Sequence, residues 1–337
     1  MKKQLLIIMI VITSVTTYVV SDTSDQDPNI VPAQSNKDKS VSEPVNSLVN
    51  TKTGMDVKST SSGVINTVSP EQTLVMWSEI KTLLSDGKVD VSLEKQLIYS
   101  LKQRSNSDVY LEVSQLLQQP DDNLTSRNQE YLLSLLASVN SAESVSLLLS
   151  NLESERILDS NAIYSAKKSI QKIARTDTHM NLFQSTFSNM NSDNIFLPDI
   201  ANAIATNASE SSFDFIINQI DAASNKSVIV MNSMQFITQE KLVPKLQNII
   251  NTREPNSEIS QVSLTTLANM GQYEATAALI QWSATQPSSA DSLVGELFYS
   301  AASRSPSVYR AIEKELNSYD FSSDKIKETI QNVYSNR

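Results

Sequence analysis

The sequence predicts an all-α fold, a stack of about seven helix hairpins preceded by an apolar N-terminal segment and a polar tether. Three observations carry this expectation. Apolar residues recur at helical spacing through residues 69–337, while strand patterns are weak throughout. The same helix-end corner returns at Leu101, Ala137, Ala174, Ala205, Thr238, Ala268 and Ala302, at intervals of about 30 to 37 residues. Each interval accommodates two helices of three turns and two short connections. Glycine is scarce, with only Gly87, Gly271 and Gly295 beyond residue 70, which disfavours hairpin-rich sheets and glycine-rich phosphate loops.

Residues 1–21 open with Lys2 and Lys3, continue as an apolar run from Leu5 to Ile12, and soften toward Val20. This is the layout of a secretory signal, with Val19 and Ser21 placed for cleavage before Asp22. An uncleaved anchor is the second reading, because Gln4–Val20 reaches the lower limit of roughly 17 residues for a bilayer span. Residues 22–68 are rich in Ser, Thr, Asn, Asp and Lys, are interrupted by Pro28, Pro32 and Pro44, and carry few apolar residues, with neither helical nor strand period. Such a stretch buries too little surface to offset its ordering entropy and reads as a disordered tether. Its flexible reach would be on the order of 40 Å.

The helical part begins at Ser69, an N-cap followed by Pro70 and Gln72. Helices of about 10 to 16 residues then recur, with Ser92, Ser107, Ser141, Asn256, Ser305 and Ser322 as their expected caps. The apolar run Val228–Met231 sits inside a helical-period segment and reads as helix. Ser69–Leu84 and the polar C-terminal segment are expected to close the two ends of the stack.

Composition excludes several function classes. The net charge is −10 and no concentrated basic stripe is visible along the chain, which argues against nucleic acid and anionic lipid. Cysteine is absent, which removes disulfides, thiolate metal sites and cysteine nucleophiles and suits an oxidising compartment. His179 is the single histidine and reads as a surface or first-turn residue of a helix. Any metal site would need oxygen ligands, and no acidic loop of the required spacing is present. No Gly-x-Ser-x-Gly elbow accompanies His179 to expose a serine nucleophile.

One unit resembles a known repeat. Residues 240–271 are similar to a HEAT repeat through Leu242, Pro244, Leu246 and Ile249 in a first helix and Ile259, Leu264, Leu267 and Gly271 in a second. In that unit the family's acidic turn residue is missing and Ser260 stands where the family has arginine; Ile163, Ala166, Ile170 and Ile173 resemble a further second helix of that kind. The resemblance implies a right-handed α-solenoid and a tendency to bind proteins, and it carries no active site.

Two shorter resemblances point elsewhere. Glu153, Glu155 and Asp159, with the serine and alanine spacing that follows, resemble the opening of a lytic transglycosylase motif. The glycine-rich continuation is missing, and a solvated charge cluster is the plainer reading. Phe213-Asp214-Phe215 is similar to part of the Arg-x-x-Phe-Asp-Tyr motif of lipase-specific foldases, with Glu210 in the arginine's place. Phe213 and Phe215, like Trp77 and Trp282, otherwise read as core residues. Asn123, Asn207 and Asn225 match glycosylation acceptors, a pattern that arises by chance in so Asn- and Ser-rich a chain.

Together these readings predict a periplasmic or secreted, non-enzymatic protein–protein interaction scaffold without catalytic, cofactor or metal residues. Residues 4–20 would be its only membrane contact, and its partner a protein. The alternatives are a steric chaperone for a secreted enzyme and, behind it, a peptidoglycan-associated enzyme or its accessory subunit.

Overall fold

Ser69 opens the first helix through a reciprocal cap. Its hydroxyl accepts from the Gln72 amide at 3.2 Å while the Gln72 side chain accepts from the Ser69 amide at 2.9 Å. Proline then takes the first helical position, where its missing N–H costs nothing. The computed structural model describes residues 68–118, 126–153, 157 and 160–336, all within one contact unit, Val64–Arg337. The expected signal or anchor (1–21) and all but the last residue of the expected tether (22–68) lie outside the described residues. So do Asn123, Glu155, Asp159 and the side chain of Glu153.

Among the described residues the chain forms 16 α-helices, three short 3-10 segments and no strand. The helices are α1 (Pro70–Ser85), α2 (Val91–Gln103), α3 (Ser107–Gln118), α4 (Ser126–Val139), α5 (Ala142–Glu153) and α6 (Ser160–Ile173). They continue as α7 (Met180–Asn189), α8 (Leu197–Thr206), α9 (Glu210–Asp221), α10 (Ser227–Ser233), α11 (Val243–Thr252) and α12 (Glu258–Met270). The last four are α13 (Tyr273–Ala284), α14 (Asp291–Arg304), α15 (Ser307–Glu315) and α16 (Asp324–Ser335). Val228–Met231 is helical as expected. The following 3-10 segments, Met234–Phe236 and Glu240–Leu242, replace the rest of an α-helix that periodicity alone predicts.

The cap at Ser141 stands where expected, its hydroxyl accepting from the Ser144 amide; before α15 the cap position is Pro306, and the Ser305 hydroxyl one residue earlier accepts from the Ser307 amide. Elsewhere the structure moves the cap by one or two residues. Asp90, not Ser92, caps α2, accepting from the Ser92 and Leu93 amides at 2.8 and 3.0 Å. A carboxylate gains there from the positive end of the helix dipole. Ser257 replaces Asn256 at α12, and Ser323 replaces Ser322 before α16. Asn106, not Ser107, serves α3: its Oδ1 accepts from the Val109 amide while its Nδ2 donates to the Pro70 carbonyl, tying α3 to α1.

Packing follows parity. Each even helix from α2 to α16 contacts the next even helix, and most odd helices likewise contact the next odd one. This gives a repeat-like array of two rows with a continuous core between them, from Trp77 and Leu97 to Phe298 and Ile330. Hydrogen bonds repeat with the array. Gln239 donates to the Thr206 carbonyl, Gln272 to the Thr238 carbonyl and Ser307 to the Gly271 carbonyl, across 33, 34 and 36 residues. Thr206 and Gly271 stand at the ends of α8 and α12, while Thr238 lies just past the 3-10 turn that follows α10; each carbonyl is met by a side chain at the start of a later hairpin.

The recurring corners are the C-terminal ends of the even helices. Leu101, Ala137, Ala174, Ala205 and Ala268 are buried there. Two corners are off by one: Thr238 is exposed and Ile237 is the buried residue, and Ala302 is half-buried beside a fully buried Ala301.

Candidate binding surface

The outer face of the even row is built from the same positions in each helix. On each helix a set of residues three or four apart remains exposed or half-buried along this face. On α6 they are Tyr164, Lys168, Gln171 and Arg175; on α8, with the residues just before it, Ile195, Pro198, Asn202 and Thr206. On α12 they are Glu258, Gln261, Thr265 and Asn269. Along α8, α10 and α12 this face is largely uncharged: Asn202, Thr206, Asn232, Gln235, Gln261, Thr265 and Asn269 offer amides and hydroxyls. Some hydroxyls turn back on their own helix, Thr206 to the Asn202 carbonyl at 2.8 Å and Thr265 to the Gln261 carbonyl at 3.0 Å. The surface therefore presents hydrogen-bonding groups in register with the helix stack.

From α2 to α6 the same face changes character. Lys95 and Lys102 on α2 occupy the positions that Lys168 and Arg175 occupy on α6, with Ser134 and Ser138 of α4 between them. Lys172 donates to the Ser138 hydroxyl at 2.7 Å, which ties the two helices at their outer edge. A basic face thus exists that the linear sequence does not display, because α2 and α6 are separated by a whole repeat. Two tyrosines stand on it, Tyr99 and Tyr164, 48 % and 63 % exposed. Lys168 Nζ lies 5.4 Å from the Tyr164 ring centroid. A hollow of about 390 Å³ opens on this face between the end of α1, α2, α4 and α6, with Val89, Glu94, Tyr131 and Ser134 among its walls. Among the described residues the buried Tyr131 hydroxyl has no hydrogen-bond partner. Burial, reinforced by the charge of Glu94, pushes its ionisation well above the ordinary range.

The odd row carries a second groove. The backbones of α9 and α11 approach less closely than at any other step of that row, leaving about 520 Å³ over Phe213, Ile217 and Ile249. Two ion pairs close it: Lys245 with Asp214 at 2.7 Å and Arg253 with Asp221 at 2.8 Å. Lys245 also has Glu210 at 3.9 Å, so both cations of this groove are matched by carboxylates. Phe213 is buried, and Phe215 packs edge-to-face on Phe187 at 6.0 Å. The Phe-Asp-Phe triplet is thus divided between core packing and an inter-helix ion pair.

Other residues singled out by type are placed as follows. His179 stands at the start of α7 as expected but is buried, not on the surface. Its Nε2 donates to the carbonyl of Asn140, a residue held at φ 52 at the end of α4. Trp77 is buried and donates to Glu112, which Lys81 also engages. These bonds, the Lys81 ammonium first, hold the Glu112 carboxyl below its ordinary range against a smaller opposing effect of burial. Asp199 moves the other way: burial raises it, and Lys167 at 3.3 Å only partly offsets that. Lys226, which the sequence did not mark, donates to the Phe187 and Ser188 carbonyls and closes the end of α7. Among the described residues no group of three or more His, Asp or Glu is placed to hold a metal ion. No helix among them is long and apolar enough to cross a membrane.

No protein-family model matches the chain, and no curated protein matches it in sequence. Among solved structures, a computationally designed self-assembling cyclic homo-oligomer is similar to it at 11 % identity, over 80 % of this chain and 98 % of its own. The TM-score is 0.14, too low to carry an argument about fold or assembly.

Proposed function

We propose that this chain is an exported, non-enzymatic scaffold that holds a protein partner. It would be built as a right-handed, HEAT-like α-solenoid of about seven hairpins on the tether formed by residues 22–68. One observation carries the reading: the outer face of the even row is made from equivalent positions in successive helices, so exposed groups line up across the array. Stacked repeats turn such positions into an extended contact surface, with recognition spread over many weak contacts. The uncharged stretch from α8 to α12 suits hydrogen bonding to a polypeptide better than proton transfer at one point.

Capture of a partner from the native source, identified by mass spectrometry, tests this. The expected result is a protein partner that is retained when Glu155→Gln or Glu296→Gln is introduced and lost when residues 240–271 are deleted. Loss of function in either glutamine variant, with folding unaltered, would point to catalysis and end the scaffold reading. A secreted hydrolase as the sole partner would favour the steric-chaperone alternative. Export with cleavage before Asp22 is checked by intact mass of the native protein. A soluble cytoplasmic form retaining residues 1–21 would contradict both the signal and the anchor.

A further inference from the structure

The strongest local departure from the overall charge lies on the outer face of α2, α4 and α6. The chain carries a net charge of −10, yet Lys168 and Lys172 on α6 and Arg175 just past its end form no ion pair among the described residues. Lys95 and Lys102 stand at equivalent places on α2, two helix steps away; they are exposed and form no ion pair among the described residues. Lys172 bonds to the Ser138 hydroxyl and Lys168 lies over the Tyr164 ring, but neither contact neutralises charge, so the gathered cations repel one another. No described carboxylate lies within ion-pair distance of these five cations. Asp199 is engaged by Lys167, Glu94 and Glu130 line the hollow below, and Asp177 follows Arg175 beyond the end of α6.

We propose that this basic, tyrosine-bearing face docks an acidic polypeptide segment that also carries apolar side chains. Charge complementarity names the acidic part. Tyr99, Tyr164 and the hollow beside Val89 name the apolar part, since exposed tyrosines contribute contact area at little entropic cost. The continuation of the same face names the polymer. Past α6 the surface becomes the amide and hydroxyl run of α8 to α12, which can pair with a peptide backbone and offers nothing to a second stretch of phosphates. Neighbouring helices lie about 10 Å apart, so α2 to α6 spans about 20 Å, the length of roughly six extended residues. The inference rests on the scaffold reading and assigns its partner a chemistry.

The test uses the full chain and a fluorescein-labelled peptide of about twelve residues that alternates glutamate with leucine and phenylalanine. Fluorescence anisotropy should show saturable binding at low salt that weakens at high salt. The combined Lys168→Gln, Lys172→Gln and Arg175→Gln variant should bind about 30-fold more weakly, and Tyr164→Ala about fivefold more weakly. Lys241→Gln, exposed outside this face, should bind as the parent does. Circular dichroism monitors folding. If the triple variant does not fold, Lys168→Gln and Arg175→Gln singly should each lose about threefold.

Absence of saturable binding would overturn the proposal. So would equal binding by the folded triple variant, or equal binding of the peptide with glutamine in place of glutamate. Tighter binding of single-stranded RNA or phosphatidylglycerol vesicles through the same residues would overturn it as well. A native partner captured equally by parent and triple variant would sink this face and leave the scaffold standing. Peptide binding by a parent that captures no native partner would sink the scaffold and leave the face.

Discussion

The Ser307 hydroxyl donates to the Gly271 carbonyl at 2.7 Å, joining the start of α15 to the end of α12 across 36 residues. Gly271 ends α12 at φ 59, a left-handed conformation that glycine adopts without penalty. A Cβ built there would lie 2.6 Å from the Arg304 Cβ, so one glycine satisfies both the helix end and the close approach of the next even helix.

Gly271→Ala should therefore cost about 2 kcal/mol, from left-handed strain together with displacement of Arg304. Gly295 provides the contrast. It lies inside α14 at ordinary φ, and its added Cβ would meet only the Thr329 Cγ2 at 3.4 Å. Gly295→Ala should stabilise by about 0.5 kcal/mol through helix propensity, less the tight contact. Urea unfolding of the two variants reads both signs; the same sign for both would contradict this account of the α12 end.

The buried corners make a sharper claim about packing. Ala268 is fully buried against the neighbouring even helices, while Thr265, one turn earlier on α12, is exposed. Ala268→Asp should cost about 4 kcal/mol or prevent folding, because it buries an unpaired carboxylate in a site with room for a methyl group. Thr265→Asp should change stability by no more than about 0.5 kcal/mol. Thermal melts followed at a helical circular-dichroism band distinguish the pair.

The sequence made the period legible because the corner must be small or apolar wherever one helix end lies against the next. Leu101, Ala137, Ala174, Ala205 and Ala268 were readable for that reason, and so were the Ser69 and Ser141 caps, whose hydrogen bonds are local. The caps that moved did so by local competition: at α2 a charged acceptor, Asp90, lies two residues before Ser92 and binds the helix end more strongly. Thr238 and Ala302 are off by one because the α10 stretch breaks into 3-10 turns and α14 buries Ala301 in place of Ala302. Both depend on packing partners that periodicity does not contain.

The candidate surface was less legible than the fold. Lys95 and Lys102 look like scattered charges until α2 is stacked two places from α6, so a chain with no basic stripe in its sequence acquires one in space. His179 gave no signal of burial, since its partner is the carbonyl of Asn140, 39 residues earlier. The exposed serines and amides were visible as composition, but which of them share a face follows only from the parity of the packing.

Tyr131 holds an unused stabilisation. Its hydroxyl is buried beside Glu94 without a partner among the described residues. Tyr131→Phe removes that unpaired group while preserving the ring, and should raise stability by about 1 kcal/mol. Chemical denaturation of parent and variant is sufficient, and a loss of stability would show that the hydroxyl is satisfied in solution.

The last prediction concerns pH. Glu112 is held below its ordinary value of 4.5, chiefly by Lys81 and further by Trp77, against the smaller effect of burial. A carboxyl lowered in the folded state binds fewer protons than in the unfolded chain over the interval between the two values. Its stabilising contribution is thus complete above 4.5 and is lost as pH falls through the lower folded value. Because Trp77 Nε1 donates to the same carboxylate at 2.9 Å, its fluorescence should report the protonation. In a Trp282→Phe background, which leaves Trp77 as the sole indole, a spectral transition is expected below pH 4.5. Replacing Lys81 with Met should move that transition upward, since the largest lowering influence is gone. An unmoved midpoint would mean that the Lys81 ammonium does not set the carboxylate's ionisation, and that the α1–α3 contact rests on Trp77 packing alone.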